Sequence, residues 1–294
     1  MHKLILIIFL FSVCGVFSQS IENVDFRAEG KTIVVTYDFF HTKADTAINV
    51  ELVFKDQQGA VVTPKTISGA IKNVKPGESK RIVWDVLSDG ISLSGKYKAV
   101  ISIQKKLSIT KIGNQIWMTE NLNVDHFRNG DAIPEAKTAE EWKAADNAQR
   151  PAWCYYDNDQ KNGEKYDKLY NWYAVNDTRG LAPAGWHGPS DAEWTLLSTF
   201  LGGEDAAGKK MKSTAGWFEN GFGTNSSGFT GLPGGCRYSN GDFNDVGNFG
   251  YWWSASKNYE SNAWNRLLTS SNSNLLRFYG NFEGYGLSVR CIKD

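Results

Sequence analysis

Tryptophan and glycine are concentrated in one part of this chain, and that distribution restricts the folds open to it. Ten of the eleven tryptophans and 22 of the 29 glycines lie in residues 107–294, while the whole chain has seven prolines. Large rigid rings need a well-packed core around them, and glycine permits the tight turns that join short strands. The pattern favours a loop-rich structure with much β-strand over a helical bundle.

Charge and length narrow the class of protein further. The 294 residues carry 32 Lys and Arg against 32 Asp and Glu, so the formal net charge is zero. A dedicated nucleic-acid-binding domain usually has a basic surplus and a pI above about 9, so nucleic acid is not an expected partner. The length supports about two domains, and the change in composition after residue 106 predicts domains at 21–106 and 107–294.

The first eighteen residues have the pattern of a secretory signal peptide. Lys3 precedes an apolar run at residues 4–13, and residues 16–18 offer small side chains at a cleavage site near Ser18. The apolar run is shorter than the roughly 20 residues that span a membrane. We therefore expect export to the periplasm, the cell surface or the medium, with no membrane span after cleavage. A retained anchor and lipidation at Cys14 are the alternatives.

Residues 21–106 alternate between apolar and polar side chains, as half-buried strands do. Ile48, Val50, Leu52 and Phe54 fall on one face, and residues 82–86 and 97–103 repeat the pattern. Residues 32–37 predict a further strand from their β-branched side chains. Several short strands with polar turns between them predict a small antiparallel β-sandwich. The run at residues 72–87 (KNVKPGESKRIVWDVL) resembles the immunoglobulin-like or fibronectin-like modules of exported Bacteroidetes proteins. That resemblance implies a spacer or docking module.

Residues 107–294 predict an α+β domain with little helix. Thr138 with Glu141, and Ser190 with Glu193, each place a hydroxyl and a carboxylate at the spacing of a capping box, which marks the start of a helix. The second helix should stop at residues 202–203, because two glycines tolerate the left-handed conformation of a helix end. Residues 112–115 (IGNQ) predict a tight β-hairpin.

Several long motifs in this domain match the Fibrobacter succinogenes major paralogous domain family. They are IGNQIWM (112–118), LYNWYAV (169–175), PAGWH (183–187), PSDAEW (189–194), GTNSSGF (223–229), LPGG (232–235), YWWS (251–254) and SVRC (288–291). The family resembles a branch of the C-type-lectin-like fold, to which the formylglycine-generating enzymes are also similar. The resemblance implies a fold and no established activity. Ala182 stands where members often carry a cysteine, which removes one possible disulfide partner of Cys291.

The same resemblance raises the question of catalysis. Formylglycine-generating enzymes hold copper with a closely spaced cysteine pair, and related iron enzymes use a His-x₃-His-x-Glu arrangement. Here Cys236 and Cys291 lie 55 positions apart, and neither His126 nor His187 has that spacing. A metal site needs three or four converging ligands. We therefore predict no catalytic residue, no metal and no cofactor, with a diverged oxidase as the alternative.

Three cysteines remain once the signal is removed. An odd number in an exported protein predicts one disulfide and one leftover thiol, or an intermolecular bond. We predict the pair Cys236–Cys291, since Cys236 follows a Pro-Gly-Gly turn and Cys291 ends the last strand, with Cys154 as a buried free thiol. The alternative is that all three are reduced.

Residues 237–266 interleave aromatic rings with amides and carboxylates. Rings supply contact area at low entropy cost and polar groups fix orientation, which is the chemistry of glycan or protein recognition. Trp252 and Trp253 are better explained as core residues. The predicted ligand-binding residues are Tyr238, Asn240, Asp242, Asn244, Asp245 and Tyr259. We thus predict a non-catalytic recognition or adhesion module for a glycan or protein, with a structural component of the cell envelope as a further alternative.

Overall fold

The computed structural model describes residues 19–41, 47–57, 59–104, 107–221, 223–259, 262–278 and 282–294. The predicted signal peptide lies outside these residues. The chain separates into two compact units between residues 106 and 107. Of these described residues, 41% are in strands and 17% in helices, which confirms a β-rich fold with several antiparallel sheets and few helices.

The first unit consists of two antiparallel sheets. Its described strands are Gln19–Glu29 (β1), Thr32–His41 (β2), Asn49–Asp56 (β3), Val61–Val62 (β4), Ile67–Gly69 (β5), Gly77–Asp85 (β6) and Tyr97–Gln104 (β7). One sheet has the order β1-β2-β6-β5 and the other the order β4-β3-β7. The predicted alternation is confirmed in β3, where Val50, Leu52 and Phe54 are buried and the residues between them are more exposed.

The two sheets of the first unit share one hydrophobic core. Phe54 of β3 packs on Trp84 of β6 with ring centroids 5.1 Å apart, and on Phe26 of β1 at 5.3 Å. Trp84 also donates its Nε1–H to Asp89 at 2.8 Å. The indole is thus buried without leaving its donor unsatisfied.

The second unit combines short strands with five short helices among its described residues. Its strands are Ile109–Ile112 (β8), Gln115–Met118 (β9), Trp153–Cys154 (β10), Leu169–Tyr170 (β11), Trp186–His187 (β12), Gly234–Arg237 (β13), Phe243–Val246 (β14), Phe249–Tyr259 (β15), Asn262–Thr269 (β16), Leu275–Phe278 (β17) and Ile292–Lys293 (β18). Its helices are Ala139–Asn147 (α1), Gln160–Tyr166 (α2), Trp172–Val175 (α3), Asp191–Phe200 (α4) and Glu204–Met211 (α5). The sheets have the orders β14-β13-β15-β16-β17, β12-β18-β9-β8 and β10-β11.

Both predicted helix starts are confirmed. Thr138 and Ser190 are the N-caps of α1 and α4, and each forms a complete capping box with the glutamate three residues later. Helix α4 ends before Gly202 and Gly203, which both have positive φ. The predicted hairpin at residues 112–115 joins β8 to β9.

The tryptophans divide the second unit into two main cores. Strand β15 carries Trp252 and Trp253, both fully buried, and successive side chains of a strand point to opposite faces. Trp252 belongs to one hydrophobic cluster with Trp117, Trp194 and Trp217, and Trp253 to the other. The prediction that Trp252 and Trp253 are core residues is confirmed.

Candidate functional site

Five of the six predicted ligand-binding residues lie on one β-hairpin, which strands β13 and β14 form. The turn is closed by the Tyr238 N–H, which donates to the Asp242 carbonyl at 2.8 Å. Asn240 Nδ2 donates to Asp242 Oδ2 at 2.6 Å, and the Asp242 N–H donates to Asn240 Oδ1 at 3.1 Å. The side chains of Asn240 and Asp242 therefore shape the turn itself.

Arg237 fastens this hairpin from the inside. Its side chain is 1% exposed, and it donates from Nε to the Gly241 carbonyl at 3.0 Å and from Nη1 to the Ala136 carbonyl at 2.7 Å. The guanidinium lies over the rings of Trp142 and Phe243, 4.8 and 4.6 Å from their centroids. The turn is thus held in one position by a buried cation.

A row of three aromatic rings runs from the base of the hairpin, and we call Phe282, Tyr285 and Tyr238 the aromatic row. Arg237 and Gly286 form a β-bridge, which brings Tyr238 beside Tyr285 with ring centroids 5.2 Å apart. Tyr285 in turn lies 6.0 Å from Phe282, which is 51% exposed. The two tyrosines pack against the core cluster that contains Trp253 and are half-buried.

The hydroxyl groups of the aromatic row are unused. Neither Tyr238 nor Tyr285 makes a side-chain hydrogen bond within the described part of the chain. Burial raises the pKa of both phenols, so at neutral pH each keeps its proton and can act as a donor. Half-buried rings with free hydroxyl groups are suited to contact a ligand.

Asp245 adds a carboxylate beside the row. Its Oδ2 accepts from the Tyr251 hydroxyl at 2.8 Å and lies 3.9 Å from the Cys236 thiol, whereas its Oδ1 has no partner among the described residues. Asp245 also contributes to the raised pKa of Tyr238, which indicates that the two side chains are near each other. The Asn244 amide is likewise unpaired within the residues that the structure describes.

The sixth predicted residue, Tyr259, ends β15, and its side chain lies outside the described part. Tyr285 and Phe282 were missed by sequence reasoning. The only local signal was the aromatic pair in the FEGY segment at residues 282–285. Their association with Tyr238 depends on the bridge at Gly286, whose partner Arg237 lies 49 positions earlier.

The three cysteines are free, buried thiols in the structure, so the predicted Cys236–Cys291 bond is not formed there. Cys236 and Cys291 lie in the same hydrophobic cluster, and Cys154 lies in another. Burial raises the pKa of Cys154 and Cys291 to about 12, and burial with the nearby Asp245 raises that of Cys236 further. Such thiols stay protonated at neutral pH, and the thiolate is the reactive and metal-binding form.

His187 lies between two carboxylates. Its Nδ1 is 2.7 Å from Asp294 Oδ1 and its Nε2 is 2.9 Å from Glu193 Oε1. Burial lowers the pKa of His187, but its hydrogen bonds to Asp294 and Glu193 outweigh burial and raise it. No cluster of three or more His, Cys, Asp or Glu side chains in the described ranges is placed to hold a metal ion.

The family model described as Fibrobacter succinogenes major domain (Fib_succ_major) matches residues 110–293. The chain belongs to this family. The Fib_succ_major match covers nearly all of the second unit, including the hairpin and the aromatic row. No curated protein and no solved structure matches the Fib_succ_major chain. Among its described residues, no helix combines the length and apolar character needed to cross a membrane.

Proposed function

We propose that the Fib_succ_major unit is a non-catalytic recognition module that binds a glycan at the aromatic row. The observation that carries this proposal is the set of ring faces of Phe282, Tyr285 and Tyr238, with two tyrosine hydroxyl groups that have no partner in the described chain. A protein epitope is the second class of ligand that this surface could bind.

The chemistry of a sugar fits the groups that are left unused. The C–H face of a sugar ring packs on an aromatic face, and its hydroxyl groups need both donors and acceptors. The row supplies two phenolic donors, and Asp245 Oδ1 adds an acceptor. The firm hairpin reduces the entropy cost of binding, because the ring at Tyr238 is already held in place.

We further infer that the second unit has a C-type-lectin-like fold and that the first is an immunoglobulin-like spacer. The motif series of residues 112–291 supports the former, and the two antiparallel sheets with one shared core support the latter. A strand connectivity unlike that of these two folds would contradict the assignments. We also infer export. Cell fractionation and N-terminal sequencing should find the protein outside the cytoplasm and cleaved near Ser18.

The binding experiment compares variants on a glycan array and a protein array. Phe282→Ala removes a ring that is 51% exposed from the row, and Phe200→Ala removes a ring that is 64% exposed from α4. We expect Phe282→Ala and Tyr285→Ala to lose binding to the glycan that the native protein selects, while Phe200→Ala keeps it. Tyr285→Phe should lose only part of the affinity, since it keeps the ring.

Other outcomes would assign another function. If the native protein bound a protein on the array and no glycan, the ligand would be a protein and the aromatic row would remain the binding surface. Equal binding by Phe282→Ala and Phe200→Ala would refute the row as the binding surface. Retention in envelope fractions without any ligand would favour a structural component. Stoichiometric copper or iron in the purified protein, with oxygen consumption on a cysteine peptide, would favour the diverged oxidase.

A further inference from the structure

A concave surface lies beside α5 and the loop at residues 223–228, and we call it the lysine groove. It is an open depression of about 550 Å³, lined by Asp205, Lys209, Lys210, Thr224, Ser226 and Ser273. A smaller hollow adjoins it, shares Lys209 and Ser273, and is also lined by Lys212. Three lysines and several hydroxyl groups thus meet in one concave region.

The walls of the groove are held firmly. The Thr224 N–H donates to the Lys209 carbonyl at 2.8 Å, and the Ser227 N–H donates to the Lys210 carbonyl at 3.1 Å. Gly223 permits this approach, because a Cβ there would lie 2.4 Å from the Lys209 carbonyl oxygen. The loop at residues 223–228 therefore caps the last carbonyls of α5 and fixes one wall against the helix.

The three lysines differ in the hydrogen bonds that their ammonium groups make. Lys210 donates to the Leu201 carbonyl at 2.7 Å, and buried Lys212 donates to the carbonyls of Thr269 and Asn272 at 2.9 and 2.8 Å. Lys209 has no ion pair or side-chain hydrogen bond within the described residues. Burial and then the charge of Lys209 lower the pKa of Lys212, so the two ammonium groups repel each other.

We infer that the lysine groove binds a phosphate or sulfate monoester of a saccharide. Lysine ammonium groups bind such oxyanions as point charges, and Lys209 is the one that is free to do so. The hydroxyl groups of Ser226 and Ser273 can donate to the remaining oxygens. Asp205 is the only carboxylate among the lining residues described, and it would repel a bare anion. It would accept a hydrogen bond from a sugar hydroxyl, which favours an ester over a free ion.

Titration of the whole protein with small probes tests this inference. The probes are glucose 6-phosphate, glucose 6-sulfate, glucose and inorganic phosphate, and calorimetry at low ionic strength measures the binding of each. We expect one or both esters to bind, glucose not to bind and inorganic phosphate to bind more weakly than the ester. Binding should weaken as salt is added, because these charges are solvent-accessible. The two esters distinguish a phosphorylated from a sulfated ligand.

Matched variants distinguish binding in the lysine groove from attraction to surface charge in general. Lys209→Gln removes the free ammonium group, and Lys143→Gln removes one charge from an exposed position on α1. Lys209→Gln should weaken binding of the ester by about tenfold or more, while Lys143→Gln leaves it unchanged. Ser226→Ala combined with Ser273→Ala should weaken it by a smaller factor.

Three results would overturn the inference. They are the absence of binding by either ester, equal losses in Lys209→Gln and Lys143→Gln, and binding of inorganic phosphate as tight as that of the ester. Tyr285→Ala should leave ester binding unchanged, so failure at the aromatic row and failure at the lysine groove can be told apart.

Discussion

Replacing Arg237 with methionine tests how the hairpin is held. Methionine keeps much of the aliphatic length of the side chain but removes both donors, which leaves the buried carbonyls of Gly241 and Ala136 without their partners. An unsatisfied buried acceptor costs about 1–3 kcal/mol. Loss of the two cation–π contacts adds about 1–2 kcal/mol to the destabilisation. Contacts of the methionine side chain with the same rings offset part of the loss.

Two acceptors lose their donor, so the expected loss in the free energy of unfolding is about 3–6 kcal/mol after the compensation by methionine. For a unit of this size, 1 kcal/mol corresponds to about 2–4 °C in Tm, so Tm should fall by roughly 6–24 °C. Urea unfolding and differential scanning calorimetry measure the two quantities. Arg150→Met is the control, because Arg150 is exposed and a change there should stay within about 0.5 kcal/mol.

Amide hydrogen exchange locates the effect. The N–H groups of Tyr238 and Gly241 close the turn, and they should lose protection in Arg237→Met more than the amides of α4 do. A loss of stability no larger than that of Arg150→Met would refute the reasoning. It would mean that water or another donor replaces the guanidinium at both carbonyls.

Three other predictions concern the second unit. Gly235→Ala should lower the free energy of unfolding in urea by about 3 kcal/mol, because Gly235 has positive φ and the new Cβ would lie 2.4 Å from the Asn244 carbonyl oxygen. Gly185 also has positive φ but has open space around it, so Gly185→Ala should cost only about 1 kcal/mol. Equal costs of the two substitutions would contradict the steric argument. Because the pKa of His187 is raised above 6.5, its stabilising effect is full in acid and is lost as pH rises through the raised pKa. The Tm difference between the native protein and His187→Gln should thus be larger at pH 5.5 than at pH 9, and a pH-independent difference would disprove this. Finally, the three buried thiols should resist alkylation at pH 8 until the protein unfolds. Mass spectrometry of the unfolded, unreduced chain then counts the alkyl labels. Three labels would match three free thiols, and one label would match the disulfide predicted from the sequence.

Local signals in the sequence were sufficient for several elements. A capping box places its two partners three residues apart, so the starts of α1 and α4 could be predicted at Thr138 and Ser190. Alternating burial in β3 also follows from neighbouring residues. In these cases the interacting groups are close along the chain, and the sequence pattern contains both of them.

The candidate site depended on contacts that no local pattern contains. Tyr238 meets Tyr285 because distant segments form the bridge Arg237–Gly286. The burial of Arg237 could not be predicted either, since arginine is almost never fully buried unless it is paired. Its partners are two carbonyls and two rings from separate segments. Asn240 and Asp242, predicted as ligand contacts, also bond to each other within the turn, as polar turn residues commonly do.

The two proposed sites are supported by different cores, and strands β9, β15 and β16 contribute residues to both. Tyr238 and Tyr285 pack on the cluster of Trp253, whereas Ala207 and Met211 of α5 and Leu275 of β17 lie in the cluster of Trp252. Trp253 donates its Nε1–H to the Tyr170 carbonyl and Trp252 to Asn121, each at 2.8 Å, so both rings are fixed by their own bonds as well as by packing. Substitutions that do not share partners contribute almost independently. Ligands at the aromatic row and at the lysine groove should therefore bind without affecting each other, and a coupling between them would pass through the strands that the two cores share.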